Sequence, residues 1–189
     1  MQLPNRISFV DLETTGTSAQ HNRIIEVGIL KVENGKVVKE YKQLINPQTC
    51  IDPFITSMTG INTEMITKAP IFDEVKKEIL EILVDSVFVA HNVRFDYGFL
   101  RNEFKRSGIN FSSQHFCTVE LARSLFPEWE RHNLNTVIER FSISVKERHR
   151  AFDDAQVLYT FWEKAKQMVA PEIFQKAVNL ALKTPSQPL

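Results

Sequence analysis

Three short segments of the chain place acidic groups where they need an explanation. The first is Phe9-Val10-Asp11-Leu12-Glu13, an apolar run broken by two carboxylates and followed by Thr14-Thr15-Gly16. In an extended strand, side chains two apart share a face. Asp11 and Glu13 then project together, while Val10 and Leu12 point the other way. Two anions on one buried face repel each other and lose hydration. A hard divalent cation with oxygen ligands, Mg²⁺ or Mn²⁺, would relieve both costs; an exposed face or an ion pair with Arg or Lys would do so too. The second segment, residues 90–97, reads A-H-N-V-R-F-D-Y and sets Asp96 near a helix start, where the helix dipole alone favours an acid. The third, residues 149–155, reads H-R-A-F-D-D-A. His149 stands just before a helix and Asp154 lies in its early turns. Asp153 and Asp154 differ by about 100° around the axis, so only one can face a given site. Asp154 borders the side marked by Ala151, Ala155 and Leu158, and Asp153 is expected toward solvent or as a helix-start residue.

The elements that must carry these groups follow from patterning. Residues 7–13, 24–32 and 37–45 read as strands, and Asn34-Gly35 between the last two is a strong hairpin signal. The chain therefore opens with a three-stranded, largely antiparallel unit. Residues 72–84 put Val75, Ile79, Ile82 and Leu83 on one helical stripe. Residues 87–90, V-F-V-A, suit a buried strand, and a helix over 95–106 stops near Gly108. A short strand near 115–118 precedes helices near 119–125, 133–141, 151–168 and 171–182. Strands first, then strands alternating with helices, give an α/β fold with a central mixed sheet flanked by helices.

The bulk properties are those of an ordinary globular chain. Its 189 residues fit one domain. That domain is read as 1–182, with 183–189 (K-T-P-S-Q-P-L) as a linker-like tail, either leading to a further domain or frayed. No apolar run is long enough to span a bilayer, and the first residues lack a signal-peptide pattern, so a cytoplasmic location is expected. Cys50 and Cys117 make no disulfide framework and, with no C-x-x-C, no thiolate zinc site.

Together the three segments, D-x-E, then H-N-x-x-F-D, then H-x-A-x-x-D, closely resemble the DEDDh (DnaQ-like) 3′→5′ exonucleases. That group includes the proofreading epsilon subunit of bacterial DNA polymerase III, RNase T and oligoribonuclease. The resemblance runs from about residue 7 to about 165. Lesser features agree: T-G-I at 59–61, C-T at 117–118 with Leu121-Ala122-Arg123, and H-N-L at 132–134. It implies an RNase H-like fold, two divalent cations held by Asp11, Glu13, Asp96 and Asp154, and His149 as general base. The sister group carries Tyr four residues before the last Asp; here that position is Arg150, so the resemblance is to the histidine type.

The expected reaction is stepwise release of 5′-mononucleotides from a 3′ end. Two cations about 3.5–4 Å apart can hold the attacking and leaving oxygens, and an imidazole can take the proton near neutral pH. The resemblance further implies that Leu12, Thr14 and Thr15 line the pocket for the terminal nucleotide. Phe95 is either a stacking residue or core. His91 and Asn92 either orient the strand end or tie down their loop. Lys146, Arg148 and Arg150 either touch phosphates or form a solvated basic loop. A formal net charge of zero fits brief contact with a few nucleotides rather than a long footprint. DNA is favoured as substrate; an RNA exonuclease of the same family and a non-catalytic end-binding module are the alternatives. A polymerase partner or a fused second domain remains open.

Overall fold

The computed structural model describes residues 3–184. A six-stranded sheet has the order β3-β2-β1-β4-β5-β6, formed by β1 (Arg6–Thr14), β2 (Ile24–Glu33), β3 (Lys36–Leu44), β4 (Val87–Ala90), β5 (His115–Cys117) and β6 (Leu182–Lys183). β1, β4 and β5 run parallel, while β2, β3 and β6 are each antiparallel to their neighbour. The hairpin joining β2 to β3 turns at Asn34 and Gly35, both with positive φ (50° and 76°), as a tight two-residue turn between right-twisted strands requires.

Period-two alternation in the strands divides the core in two. Ile7 and Phe9 of β1, Leu30 and Val32 of β2, and Val87 and Val89 of β4 enter one cluster. Val10, Leu12, Val27, Ile29, Phe88 and Ala90 enter the other. The first face is covered by α5 (Thr118–Leu125), α7 (Ala151–Met168) and α8 (Pro171–Ala181), the second by α3 (Phe72–Leu83) and α4 (Val93–Arg106). In α3, Ile79, Ile82 and Leu83 are buried, as the stripe predicts. On α7, small residues Ala151 and Ala155 sit at the N-terminal end and large ones, Phe161 and Trp162, farther along. That taper brings the start of the helix close to the sheet, while each large ring contributes roughly 2–3 kcal/mol of burial.

Asp11 and Glu13 continue the row of Ile7 and Phe9, so they emerge on the α7 face at the carboxyl end of β1. This is the point where the chain turns to β2 on one side and the parallel β4 lies on the other, the crevice in which open α/β sheets bind ligands.

Several elements were not anticipated. Residues between β3 and α3 form two short helices, α1 (Pro53–Thr59) and α2 (Thr63–Thr67). The helix expected near 133–141 is present as α6, Leu134–Arg140. α4 begins at Val93, two residues before the sequence expectation. Lys183, read from sequence as the first residue of a tail, pairs with His115 as part of β6; the rest of that segment from Pro185 onward lies outside the described residues. Among those residues, no helix is long and apolar enough to cross a membrane. Both cysteines are free.

Candidate active site

Three local devices deliver the acids to one place. The D-x-E pair needs only the strand, since Asp11 and Glu13 share a face. Asp96 arrives on the first turn of α4, which starts immediately after β4 through Asn92 in the left-handed region (φ 71°). Asp154 arrives on the first turns of α7, entered through His149 at φ 58°. Non-glycine residues in that region are uncommon and are often found where a chain is forced into a functional turn.

The start of α7 is fixed by β2. A side chain at Gly28 would collide with the Ala151–Phe152 peptide, so only glycine lets the helix approach this closely. The fully buried Glu26 then caps the helix. Its carboxylate accepts from the Ala151 N–H at 2.9 Å and pairs with the Arg150 guanidinium at 2.8 and 3.2 Å. Arg150 is thus committed to holding the fold, which removes it from the candidates for phosphate contact. Lys146 is not among the residues lining the cleft; it lines a separate hollow, as does Asp153. Asp153 is itself buried, not solvent-facing, because the close seat of α7 on β2 and β3 covers its side as well.

Asp11, Leu12, Glu13, Thr14, Asn92, Phe95, Asp96, His149 and Asp154 all line one cleft of about 400 Å³. Thr15 does not. Its hydroxyl accepts from the Arg23 N–H at 3.0 Å and ties the loop after β1. Phe95 faces the cleft, and its ring packs on Phe99 at 4.8 Å. Phe54, Ile55 and Met58 of α1 form an apolar wall on the same cleft, and Phe54 is 71% exposed. Sequence reasoning missed this wall, although Asp52 as N-cap, Pro53 at the first helical position and Gly60 at the end are helix signals.

The electrostatics of the cleft are lopsided. Glu13, Asp96 and Asp154 are buried and Asp11 is half-buried. Burial pushes the Glu13 carboxyl up to about 8, with Asp154 and Glu26 adding to the rise and Arg148 and Arg150 opposing it. Burial, then Asp96, Asp154 and Glu13, raise Asp11 well above the ordinary carboxylate range. Asp96 is raised by burial, against the backbone N–H groups of Asp96 and Leu12. Asp154 is raised by burial despite Arg148 and His149. Among the described residues, the cation paired with these four acids is Arg148, whose guanidinium holds Asp154 and also donates to Asn135. The His149 N–H donates to the other Asp154 oxygen at 3.3 Å.

Four carboxylates against one guanidinium is a donor set that fits divalent cations. Ligand atoms of Glu13, His149 and Asp154 lie within 4.8 Å of one another, and all four acids offer the hard oxygen that Mg²⁺ or Mn²⁺ prefers. An added cation would remove the repulsion that lifts these groups above their usual range.

Comparison with known proteins identifies the family. A family model described as exonuclease matches residues 8–161. A DNA polymerase III of PolC type from Caldanaerobacter subterraneus is 34% identical over 177 residues, which is 94% of this chain and 12% of that protein. The 3′-5′ exonuclease DinG of Staphylococcus epidermidis is 36% identical over 179 residues, 94% of this chain and 19% of that protein. The chain therefore spans between about a tenth and a fifth of the length of these relatives. Among solved structures, the zinc-bound complex of E. coli exonuclease I with single-stranded DNA superposes with a TM-score of 0.81 at 19% identity, over 91% of this chain and 42% of that one, a likeness of fold. The chain belongs to the exonuclease family, with the RNase H-like fold and the DEDDh-type motifs that its sequence resembles.

Proposed function

We propose that this chain is a 3′→5′ exonuclease acting on DNA, releasing 5′-mononucleotides, with Asp11, Glu13, Asp96 and Asp154 as ligands of two divalent cations and His149 as general base. The observation that carries the reading is the meeting of four acids and one histidine in a single cleft, with one guanidinium paired among them. Divalent cations bound there would supply Lewis-acid activation of a water and charge stabilisation at the leaving 3′ oxygen. The protein's own groups do the rest. His149 stands beside Glu13 and Asp154, where an imidazole can accept the proton of the attacking water. Leu12 and Phe95, with Phe54 and Met58 opposite, offer apolar surface to the terminal base and sugar, and stacking of this kind tolerates any base. Arg148 lines the same cleft and neutralises part of the acidic cluster, and its guanidinium fork would suit a phosphate there.

DNA is favoured over RNA because the curated relatives at 34–36% identity carry the names of a DNA polymerase III and of DinG. Those relatives are far longer, so a role as one module of a larger protein, with 1–182 as the catalytic domain and a polymerase partner or a fused second domain, is part of the same proposal.

The test is to incubate the protein with 5′-labelled single-stranded DNA and RNA of one sequence, with Mn²⁺ and with EDTA. A ladder shortening one nucleotide at a time from the 3′ end, faster on DNA and abolished by EDTA, is expected. Internal cuts, or loss of the 5′ label as the first product, would contradict the exonuclease direction; equal or faster trimming of RNA would contradict the substrate.

A further inference from the structure

A second concavity opens beside the cleft, and nothing in the reaction above uses it. It holds about 710 Å³ and runs between the start of α4, the start of α5 and the loop before α6. His91 and Asn92 line both spaces, so the groove is a continuation of the cleft across the ends of β4 and β5.

Its chemistry is that of an anion track. Arg94, Arg123 and Arg131 line it and are all exposed. Other arginines of the fold are committed: Arg23 and Arg106 hold Glu103, Arg148 holds Asp154, and Arg150 holds Glu26. Among the described residues, none of the three groove arginines has an ion-pair or hydrogen-bond partner. Of the two acids on the groove, Glu120 is already paired with Lys183 at 3.6 Å, which leaves Glu130 alone against three guanidinium groups. Two helix N-termini open here, those of α4 and α5, and neither has a side-chain cap. The wall shared with the cleft carries His91. Its Nδ1 is tied to the Thr118 hydroxyl at 2.9 Å, while Nε2 is buried with no partner.

We infer that this groove binds the phosphodiester backbone of nucleic acid outside the scissile linkage, with Arg94, Arg123 and Arg131 as its phosphate contacts. The inference takes its orientation from the exonuclease reading: a strand whose 3′ end lies among the carboxylates leaves the cleft past His91 and Asn92. Guanidinium forks match phosphate geometry, and free N–H groups at helix starts favour anions. A neutral protein can hold a polyanion in this way because the positive groups are gathered on one path. Two strands could supply the phosphates, the upstream part of the strand being shortened or the complementary strand of a duplex.

The experiment measures binding of 5′-fluorescein DNA with non-hydrolysable phosphorothioate 3′ linkages by anisotropy, at 50 and 200 mM salt. The oligonucleotides are a dinucleotide, a 10-mer and the 10-mer in duplex with a longer complement. Wild type is compared with Arg94→Gln/Arg123→Gln/Arg131→Gln, with Arg131→Gln alone, and with Arg101→Gln/Lys105→Gln, two cations farther along α4 that line a separate hollow, as a control. For three lost phosphate contacts the 10-mer should lose roughly 20-fold less affinity between the two salts in the triple variant than in wild type, at a salt slope of ~0.7 per contact. The single variant should show about a third of that change in slope, and the control should follow wild type. A deficit already present with the single strand assigns the groove to the upstream strand; one seen only with the duplex assigns it to the complement. A triple variant with the wild-type salt slope on both, or a control with the same deficit, overturns the inference. Cleavage of natural DNA is scored separately, so binding without cleavage would count against the exonuclease reading and not against the groove.

Discussion

Glu13 and Glu26 are partners in the register of β1 and β2 and lie on the same face of the sheet, yet their surroundings are opposite. Glu26 is fully buried and fully answered: a guanidinium on both oxygens and a backbone N–H at a helix start. Glu103, buried on α4, is answered in the same way by Arg23 and Arg106. Glu13 is almost as buried but has no ion-pair partner among the described residues, and burial, with Asp154 and Glu26 adding to it, pushes its carboxyl up to about 8. A buried acid with its own cation holds a fold together; a group of buried acids without enough cations is waiting for one. The difference separates the structural acids of this molecule from the proposed catalytic ones without reference to any relative.

The comparison can be broken in four places. The largest effect is expected from Asp11→Asn, which removes one of the uncompensated acids. Turnover on single-stranded DNA should fall below that of any other variant here, while the metal-free protein should melt about 2–4 °C higher for each ~1 kcal/mol of repulsion relieved. A lower melting temperature in EDTA would mean the acids are already compensated. His149→Ala should reduce turnover by roughly 10²–10⁴-fold with little change in Mn²⁺ affinity; equal loss of both would make His149 a ligand and not a base. Glu26→Gln should act on the other side of the comparison. It leaves Arg150 buried without its partner, at a cost of about 3–5 kcal/mol, which is on the order of 10 °C in melting temperature. A melt within a degree of wild type would contradict a structural role for the pair.

The smallest effect concerns pH. In the fold Glu13 keeps its proton up to about pH 8, whereas its ordinary value is 4.5. Between these values the folded state binds more protons than the unfolded chain, so metal-free stability should fall as pH rises through that window. A decline of several °C in melting temperature from pH 5 to pH 8 is expected in EDTA, and saturating Mn²⁺ should reverse its sign, because ligands must be deprotonated to bind. A metal-free melt that rises with pH over this range would show that the acids are not under strain.

How much of this was readable in the sequence depended on the distance over which each feature acts. The shared face of Asp11 and Glu13, the Asn34-Gly35 turn and the choice of Asp154 over Asp153 as the acid facing the site all follow from strand and helix periods, and these are local. The apolar wall on α1 was missed because a seven-residue helix is too short to show a periodic stripe, even though its Asp-Pro start and Gly stop were present. Glu26 was invisible because its partners, Arg150 and the Ala151 N–H, lie 124 and 125 residues away. The need for glycine at position 28 has the same origin, since the peptide it admits belongs to α7. Asp153 was misjudged because helix geometry gives the angle between two side chains but not what packs on the second one. Thr15 was grouped with Thr14 by the motif, while the loop to Arg23 turned its hydroxyl elsewhere.

Asp11, Glu13, Asp96 and Asp154 are proposed to hold the cations together. The most direct measurement is a Mn²⁺ titration followed by the loss of the free-ion EPR signal, on wild type and Asp11→Asn in the absence of nucleic acid. Two ions per chain in wild type and at least one fewer in the variant is the expected result. Equal stoichiometry and affinity in the two proteins would show that Mn²⁺ binds without Asp11, and the account of the cleft would fail.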